Sequence, residues 1–390
     1  MKGIKYISSA GNNGYAEAGK DYIIGLHNAG VPVQWVPIKI DNTDENADDK
    51  RSMTLKSLIT NRISYDTVIV HSVPELWAGH IEREKTAGKT VIGMTVWETD
   101  KYPEGLVKLC NKVDMIIVPC TWNKEVMTKC GVTVPISVIP HISKGHTSVN
   151  VYEIEGLGLA RYNFYTIGNW TPRKGITETI DAYLRAFTAG DNVALIVKTY
   201  LNNYSGSEKN RARRMLREII GKYSDPAQVV VLLDECGQDE IESLHIRGDC
   251  YVSLCRSEGW GLGAFDAMAY GNSVVMTDFG GQQEFLNKEL KTVYPVEYSM
   301  TPVKDMPWIK WYDKTQKWAE PNKAHGARQM TKAFEERMDL DEDNTEKSMK
   351  HIYKNFNSKK ITERLIDSIS YVKGNNNKGV EETSVTGTDS

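Results

Sequence analysis

Short apolar runs alternate with amphipathic stretches from the first residues of the chain onward. KGIKYIS (2–8) reads as a strand. SAGNNGYAEAGKDYIIGLHNAG then reads as a glycine- and asparagine-rich turn entering an amphipathic helix that stops at Gly30. VPVQWVPI predicts a second strand. DTVIVHSVP (66–74), TVIGMTVWE (90–98) and DMIIVPC (114–120) are apolar runs each followed by a helical pattern, and VPISVIPH closes the series near His141. The alternation fades over 144–161 and then restarts. YNFYTIGNW, VALIVKTY, QVVVLLD, CYVSLC and SVVMT read as strands, separated by the helical patterns GITETIDAYLRAF, RARRMLREIIGKY and QDEIESLHIRG. Short buried strands alternating with helices predict an α/β protein built from parallel, doubly wound sheets.

The two series set the expected organisation. Residues 1–160 form one Rossmann-like domain and 161–350 a second, facing it across a cleft. Residues 351–373 form a terminal helix crossing back to the first domain, and 374–390, polar and without aromatics, form a disordered tail. A length of 390 residues agrees with two cores rather than one.

Charge and composition exclude several classes. With 48 basic and 51 acidic residues the formal charge is −3, so no global field recruits nucleic acid or an anionic membrane. No run approaches the roughly 18 apolar residues of a membrane span, and the start of the chain has no signal-peptide core. The six cysteines show no paired spacing and read as reduced thiols of a cytoplasmic protein. No D-x-D lies near a strand end and no His/Cys cluster has ligand spacing, so no metal is expected.

The chemistry gathers at strand ends, where open α/β sheets bind ligands. SEGWGLGAFDAMAYGNSVV (257–275) places Glu258 before a glycine-rich turn and Asp266 eight positions later in an apolar run. Gly261, Leu262 and Gly263 open a helix whose amides favour an anion such as a diphosphate. Glu258 is placed to accept from sugar hydroxyls and Asp266 from a ribose diol; the alternatives are a solvated loop acid and an acid paired with a structural cation. Arg173 and Lys174 in GNWTPRKG, and Lys198 ending ALIVK, supply positive charge at strand ends of the same sheet, against the alternative of a snorkelling lysine at 198.

These segments resemble the retaining GT-B glycosyltransferases of family 4. That family's signature is E-x7-E within E-G-[FW]-G-L…E-A-M-A-x-G-x-P-V-V, and NWTPRKGI and the lysine of IVKT add to the likeness. The second acid is Asp266, and Ser273 stands where proline is usual. The resemblance is strong over 162–290, looser over 90–141, and weakest at 30–60 and after 290. It implies that Lys174 neutralises the donor diphosphate, with Arg173 beside it. Asn169 replaces the usual arginine after the strand glycine, and Lys198 is the expected substitute. Glu258 faces the transferred sugar, Asp266 the ribose, and the loop with Gly280 and Gly281 closes the sugar side. Gly11 and Gly14 occupy the glycine-rich loop after the first strand. Many relatives carry a histidine on the acceptor side near MTVWETD, where this chain has Trp97 and Glu98; His71, ending TVIVH, is the alternative, against a structural role.

The resulting expectation is a metal-independent glycosyltransferase without cofactor. A sugar passes from a nucleoside-diphosphate donor, UDP- or GDP-linked, to an acceptor hydroxyl with retention. Catalytic candidates are Glu258, Lys174 and Glu98. A nucleotide-sugar epimerase on the same fold and a non-catalytic sugar- or nucleotide-binding protein are the rival classes. A glycan or lipid-linked acceptor, peripheral membrane contact and a modified nucleobase stay open, the last disfavoured by charge. Glu82 and Glu84 read as a solvated helix face and KNRARRMLRE (209–218) as an exposed helix, with attraction of an anionic acceptor as its alternative. MPWIKWYDKTQKWAEPN, carrying Trp308, Trp311 and Trp318, reads as a core cover, with a sugar-stacking platform as the alternative.

Overall fold

The computed structural model describes residues 1–11, 13–38, 50–145, 151–157, 162–340 and 342–385, with side chains described through 374. The chain divides into two compact units. The first comprises Met1–Trp97, Tyr102–Ile142 and the segment from Phe356 onward; the second comprises Glu98–Lys101 and Ser143–Asn355. The chain thus touches the second unit at Glu98–Lys101, returns to it at Ser143 and leaves it at Asn355.

The first unit holds a parallel sheet of β1 (Ile4–Ser8), β2 (Val33–Pro37), β3 (Thr67–His71), β4 (Thr90–Met94), β5 (Met115–Val118) and β6 (Ile136–Val138), in the order β2-β1-β3-β4-β5-β6. Ile4 pairs with Val33 on one side and Thr67 on the other, so strand order reverses beside β1. Its helices are α1 (Gly14–Asn28), α2 (Lys50–Thr60), α3 (Ala78–Thr86), α4 (Glu104–Cys110) and α5 (Thr121–Lys129). Helix α1 starts where Asn13 caps Ala16 N at 3.1 Å, and it buries Ala16, Ala18, Tyr22, Ile23 and Leu26. Lys20 is buried with them, its ammonium bonded to Glu17.

Helix α3 corrects one expectation. Glu84 is 2 % exposed, bonded to Lys5 Nζ at 2.7 Å and to the Tyr65 hydroxyl at 3.1 Å. Residues two apart on a helix point to opposite sides, so exposed Glu82 does not carry Glu84 with it.

The second unit repeats the architecture. Its strands are β7 (Tyr162–Ile167), β8 (Val193–Lys198), β9 (Gln228–Leu232), β10 (Cys250–Ser253), β11 (Ser273–Thr277) and β12 (Val293–Val296), all parallel, in the order β12-β11-β10-β7-β8-β9. A separate antiparallel hairpin joins β13 (Tyr298–Pro302) and β14 (Lys317–Pro321). The helices are α6 (Ile176–Ala186), α7 (Gly206–Ile220), α8 (Gln238–Arg247), α9 (Leu262–Ala269), α10 (Lys323–Glu336) and α11 (Glu342–Phe356). One core of Phe164, Tyr183, Leu195, Val252 and Met330 ties the sheet to α6 and α10. Helix α7 buries Ala212, Leu216 and Ile219 and exposes Arg211, Arg213, Arg214 and Arg217, the exposed helix expected of the basic run. In the aromatic stretch, Trp318 is fully buried with Val303 and Met306 and covers a small core, whereas Trp308 is exposed.

Helix α12 (Ser358–Val385) belongs to the first unit and packs on α1. A Cβ on Gly25 would sit 2.3 Å from Thr362 Oγ1, so that glycine admits the helix. Arg364 donates to Val138 O at 3.0 Å, and Lys373 pairs with Asp66. The helix runs past Lys373, where it was expected to give way to a disordered tail. No proline interrupts it, and extending a formed helix costs far less than starting one. Residues 386–390 lie outside the described residues.

Candidate active site

Strand order in the second unit reverses between β7 and β10, which pair through Cys250–Phe164 and Tyr251–Tyr165. At such a switch point the loops leaving the two strands diverge and open a site at their carboxyl ends. The loop after β7 carries Asn169, Arg173 and Lys174; the loop after β10 carries Arg256 and Glu258.

Backbone N–H groups after β10 fasten that strand end to the β7 loop and to α6. Arg256 N donates to Arg173 O at 2.7 Å, and Leu254 N to Thr179 Oγ1 at 3.0 Å. Gly175 has φ +62°, and a Cβ there would lie 2.0 Å from Leu254 O; only glycine lets the turn close onto the end of β10. Arg256, 5 % exposed, holds the assembly from below. It bonds Glu320 at 2.7 and 2.8 Å and Glu178 at 2.9 Å, donates to Pro172 O, and stacks over the Trp318 ring at 5.7 Å.

On this base sits a cluster of opposed charges. Lys174 Nζ lies 2.6 Å from Glu258 Oε1, and Arg173 Nη1 donates to Glu258 Oε2 and to Ser257 O, both at 3.0 Å. Arg173 Nη2 is 3.9 Å from Glu98 Oε1, and the Tyr312 hydroxyl donates to Glu98 Oε2 at 3.0 Å. Glu258 is 8 % exposed. Burial alone would raise its pKa; Lys174 and then Arg173 more than offset this and hold the carboxyl below its usual range. Arg173 is raised in turn: burial disfavours its charge, and Glu98 followed by Glu258 reverse that effect. Tyr312 is raised well above an ordinary phenol, by burial first and then by Glu98.

Helix α9 begins beside this cluster. Gly261 caps it with φ +98° and contributes no side-chain cap hydrogen bond. Gly263 serves packing as well as ligand access, because a Cβ there would lie 2.4 Å from the Tyr251 hydroxyl. The Gly280–Gly281 turn closes over the Glu258 backbone, with Gly281 N donating to Glu258 O at 2.7 Å.

Two further expected members stand on β8 and α9. Lys198 is buried at the end of β8, donates to Asp234 O at 2.7 Å, and stands 5.1 Å over the Tyr204 ring. Burial lowers its pKa, more than the acids around 234–240 raise it. Its ammonium is thus engaged with the loop that follows β9. Asp266, half-buried on α9, lines a narrow groove with Ser143, Lys144, Gln238, Glu242 and His245.

The first unit supplies the remaining candidates. Gly11 is buried just beyond β1 and Gly14 is exposed at the head of α1. His71 is 1 % exposed, with Nδ1 at 2.9 Å from the Tyr6 hydroxyl and ring contacts to Tyr15 and Tyr22. Trp97 is buried, with its N–H on Asn123 Oδ1, its C=O accepting from Asn123 Nδ2, and its ring against Tyr102. Glu98 groups with the second unit, where it meets Tyr312 and Arg173. Tyr312 and Arg256 carried no signal in the sequence beyond their neighbourhoods, a tryptophan-rich run and a strand end.

A groove of about 530 Å³ along β12 and α10, lined by Lys288, Tyr294, Gln329 and Lys332 among others, shares no residue with the charge cluster. Among the described residues, no group of three or more His, Cys, Asp or Glu is arranged to hold a metal ion, and no helix is long and apolar enough to cross a membrane.

Comparison with known proteins places this geometry. Two parallel six-stranded sheets flanked by helices are the GT-B fold, and residues 154–299 match the family described as Glycosyl transferases group 1. The matched region contains Arg173, Lys174, Glu258 and Asp266. Among solved structures, the chain is similar to the Anabaena protein HepE, whose crystal structure contains UDP and glucose. Identity is 12 % and the TM-score 0.63, over 95 % of this chain and 100 % of that one. It is also similar to a glycosyltransferase from Rickettsia africae (14 %, 0.66, over 95 % and 98 %) and to sucrose-phosphate synthase from Thermosynechococcus elongatus (13 %, 0.66, over 96 % and 100 %). No curated protein matches the chain. The family match and the fold together support a glycosyltransferase enzyme, the class expected from the sequence.

Proposed function

We propose that the protein transfers a sugar from a nucleoside-diphosphate donor, UDP- or GDP-linked, to an acceptor hydroxyl, with retention of configuration and without a metal. The observation that carries this reading is the Lys174–Glu258–Arg173 cluster at the switch point of the second sheet, beside the glycine-capped start of α9 and inside the region matching a glycosyltransferase family. The presence of UDP and glucose in HepE supports a nucleotide-sugar ligand for this fold.

In this reading the donor lies on the second unit. Lys174 and the first amides of α9 take the negative charge that develops on the departing diphosphate. Glu258 stands by the transferred sugar, where its carboxylate stabilises the positive character of the ring as the anomeric C–O bond to phosphate breaks. The acceptor oxygen bonds the same face of that carbon, and its proton passes to the leaving phosphate oxygen. Asp266 accepts from the ribose diol. The acceptor, a glycan or lipid-linked hydroxyl, belongs to the first unit. All six cysteines are free, which supports a reducing, cytoplasmic setting.

Incubation with a panel of UDP-, GDP-, ADP- and TDP-sugars, following nucleotide release with and without added acceptors, tests the proposal. Release of nucleoside diphosphate that rises with acceptor is expected. Conversion of the donor to an epimer, or binding without turnover on any donor, refutes it.

A further inference from the structure

Arg173 and Lys174 are adjacent in sequence but held in different ways. Arg173 is gripped on every side: Ser257 O and Glu258 Oε2 take Nη1, Glu98 Oε1 faces Nη2, and its own carbonyl accepts from Arg256 N. Glu98 is oriented in turn by the Tyr312 hydroxyl. Lys174 has one acceptor among the described residues, Glu258 Oε1, and its side chain is 25 % exposed. Two acids and two cations cancel within this cluster. An entering diphosphate therefore meets no net side-chain charge in this cluster until a cation changes partner. Lysine surrenders one bond to do so, on a flexible stem; arginine would surrender a fixed fork of several.

We propose that Tyr312 and Glu98 are positioning residues that lock Arg173 onto Glu258, leaving Lys174 alone to move to the diphosphate of the donor. Arg173 is then part of the scaffold that aims Glu258, and Glu98 acts through Arg173 rather than on the acceptor. The ligand in this inference rests on the sugar-transfer reading above. The charged and titratable groups around Glu258 are Lys174 and Arg173 from the loop after β7, Glu98 and Tyr312 beyond Arg173, and Tyr251 and Cys255 from the β10 side. Tyr251 and Cys255 are themselves raised, by burial first and then by Glu258, and stay neutral near neutral pH.

Tyr312→Phe removes the hydroxyl and keeps the ring. UDP binding measured by calorimetry at pH 7.5 should stay within about twofold of wild type, whereas Lys174→Met should lose more than about tenfold. With the donor identified by the panel, Tyr312→Phe should lower kcat about tenfold at nearly unchanged KM. It should also move the acid limb of the kcat profile to higher pH, because Glu258 loses part of the cation that favours its charge. Glu98→Asp, one methylene too short to bridge Tyr312 and Arg173, should reproduce both effects, which guards against a folding defect peculiar to one variant. An unmoved acid limb in both variants, or UDP binding lost as severely as in Lys174→Met, overturns the inference. If wild type binds UDP but turns over no donor, the sugar-transfer reading alone falls. The positioning inference is then decided by the pH dependence of UDP affinity, compared with wild type so that the ligand's own ionisation cancels. Protonation of Glu258 frees Lys174, so the rise in affinity should begin at higher pH in Tyr312→Phe, and coincident curves overturn the inference. Wild type that binds neither UDP nor GDP overturns both.

Discussion

Replacing Glu258 with glutamine should separate binding from turnover, with opposite signs. In the structure Glu258 occupies Lys174 at 2.6 Å and Arg173 at 3.0 Å, so a diphosphate has to compete with a carboxylate for its lysine. A hydrogen bond between charged groups contributes about 1.5–3 kcal/mol, and a neutral amide retains only part of that. Removing about 1.4 kcal/mol of the competition corresponds to a tenfold gain, so Glu258→Gln should bind UDP about tenfold more tightly than wild type. The same change removes the negative charge beside the reacting sugar, and kcat should fall about 100-fold or more. Breaking a buried ion pair costs roughly 3–5 kcal/mol of stability, and the cost here should lie at the low end because Arg173 keeps Glu98 and Ser257 O. Calorimetry of UDP binding, nucleotide release with the donor varied, and thermal melting measure the three consequences independently. Weaker UDP binding in the glutamine variant would refute the argument, since it would mean that Glu258 orients Lys174 for the ligand rather than competing for it. Unchanged kcat would remove Glu258 from the chemistry.

Further outcomes follow from the same arrangement. Lys174→Ala should weaken UDP binding by about 1.5–3 kcal/mol while leaving uridine affinity nearly unchanged; equal losses for both ligands would point to a folding defect. Asp266→Asn should raise the KM for the donor with little change in kcat if it holds the ribose as proposed, a part of the substrate that does not react, and a fall in kcat alone would contradict that role. Activity should survive EDTA, and loss restored by Mn²⁺ or Mg²⁺ would place the enzyme in a metal-dependent class. Burial pushes His71, His141 and His245 down to about 3, with His141 adding to the effect at His71 and Lys144 at His245. Their folded values lie below the unfolded value near 6.5. The stability they contribute is thus complete above pH 6.5 and is lost as pH falls toward 3, at up to about 1.4 kcal/mol per pH unit for each. Denaturant unfolding between pH 4 and 8 should show that slope, and a flat profile would mean that these histidines are hydrated.

Much of the fold is legible in the chain because parallel strands buried on both faces are written as uninterrupted apolar runs. TVIVH, MIIV and VALIVK are such runs, and each is a strand of one of the two sheets. The hairpin of β13 and β14 escaped that signal because Tyr298–Pro302 is mostly exposed and too short and mixed to form an apolar run. The acid before the glycine turn, the R-K-G loop and the start of α9 were legible for a similar reason: they are local, set by residue type and spacing at strand ends.

What the sequence could not express was partner choice. Lys198 and Lys174 both follow apolar strands, yet one turns to the Asp234 carbonyl and the other to Glu258, because the loops that meet them come from different strands. Glu98 and Tyr312 are 214 residues apart and meet through side chains alone. No periodicity records such a pair, since periodicity reports which face of an element is buried and not what lies across from it. The sequence determined two doubly wound units and an anion-seeking loop at the carboxyl edge of the second sheet. The tertiary structure alone decided that the two cations of that loop are already matched by two acids. Charge pairing depends on distances of 3–4 Å, which only the packing of β7, β10 and the β13–β14 hairpin brings about.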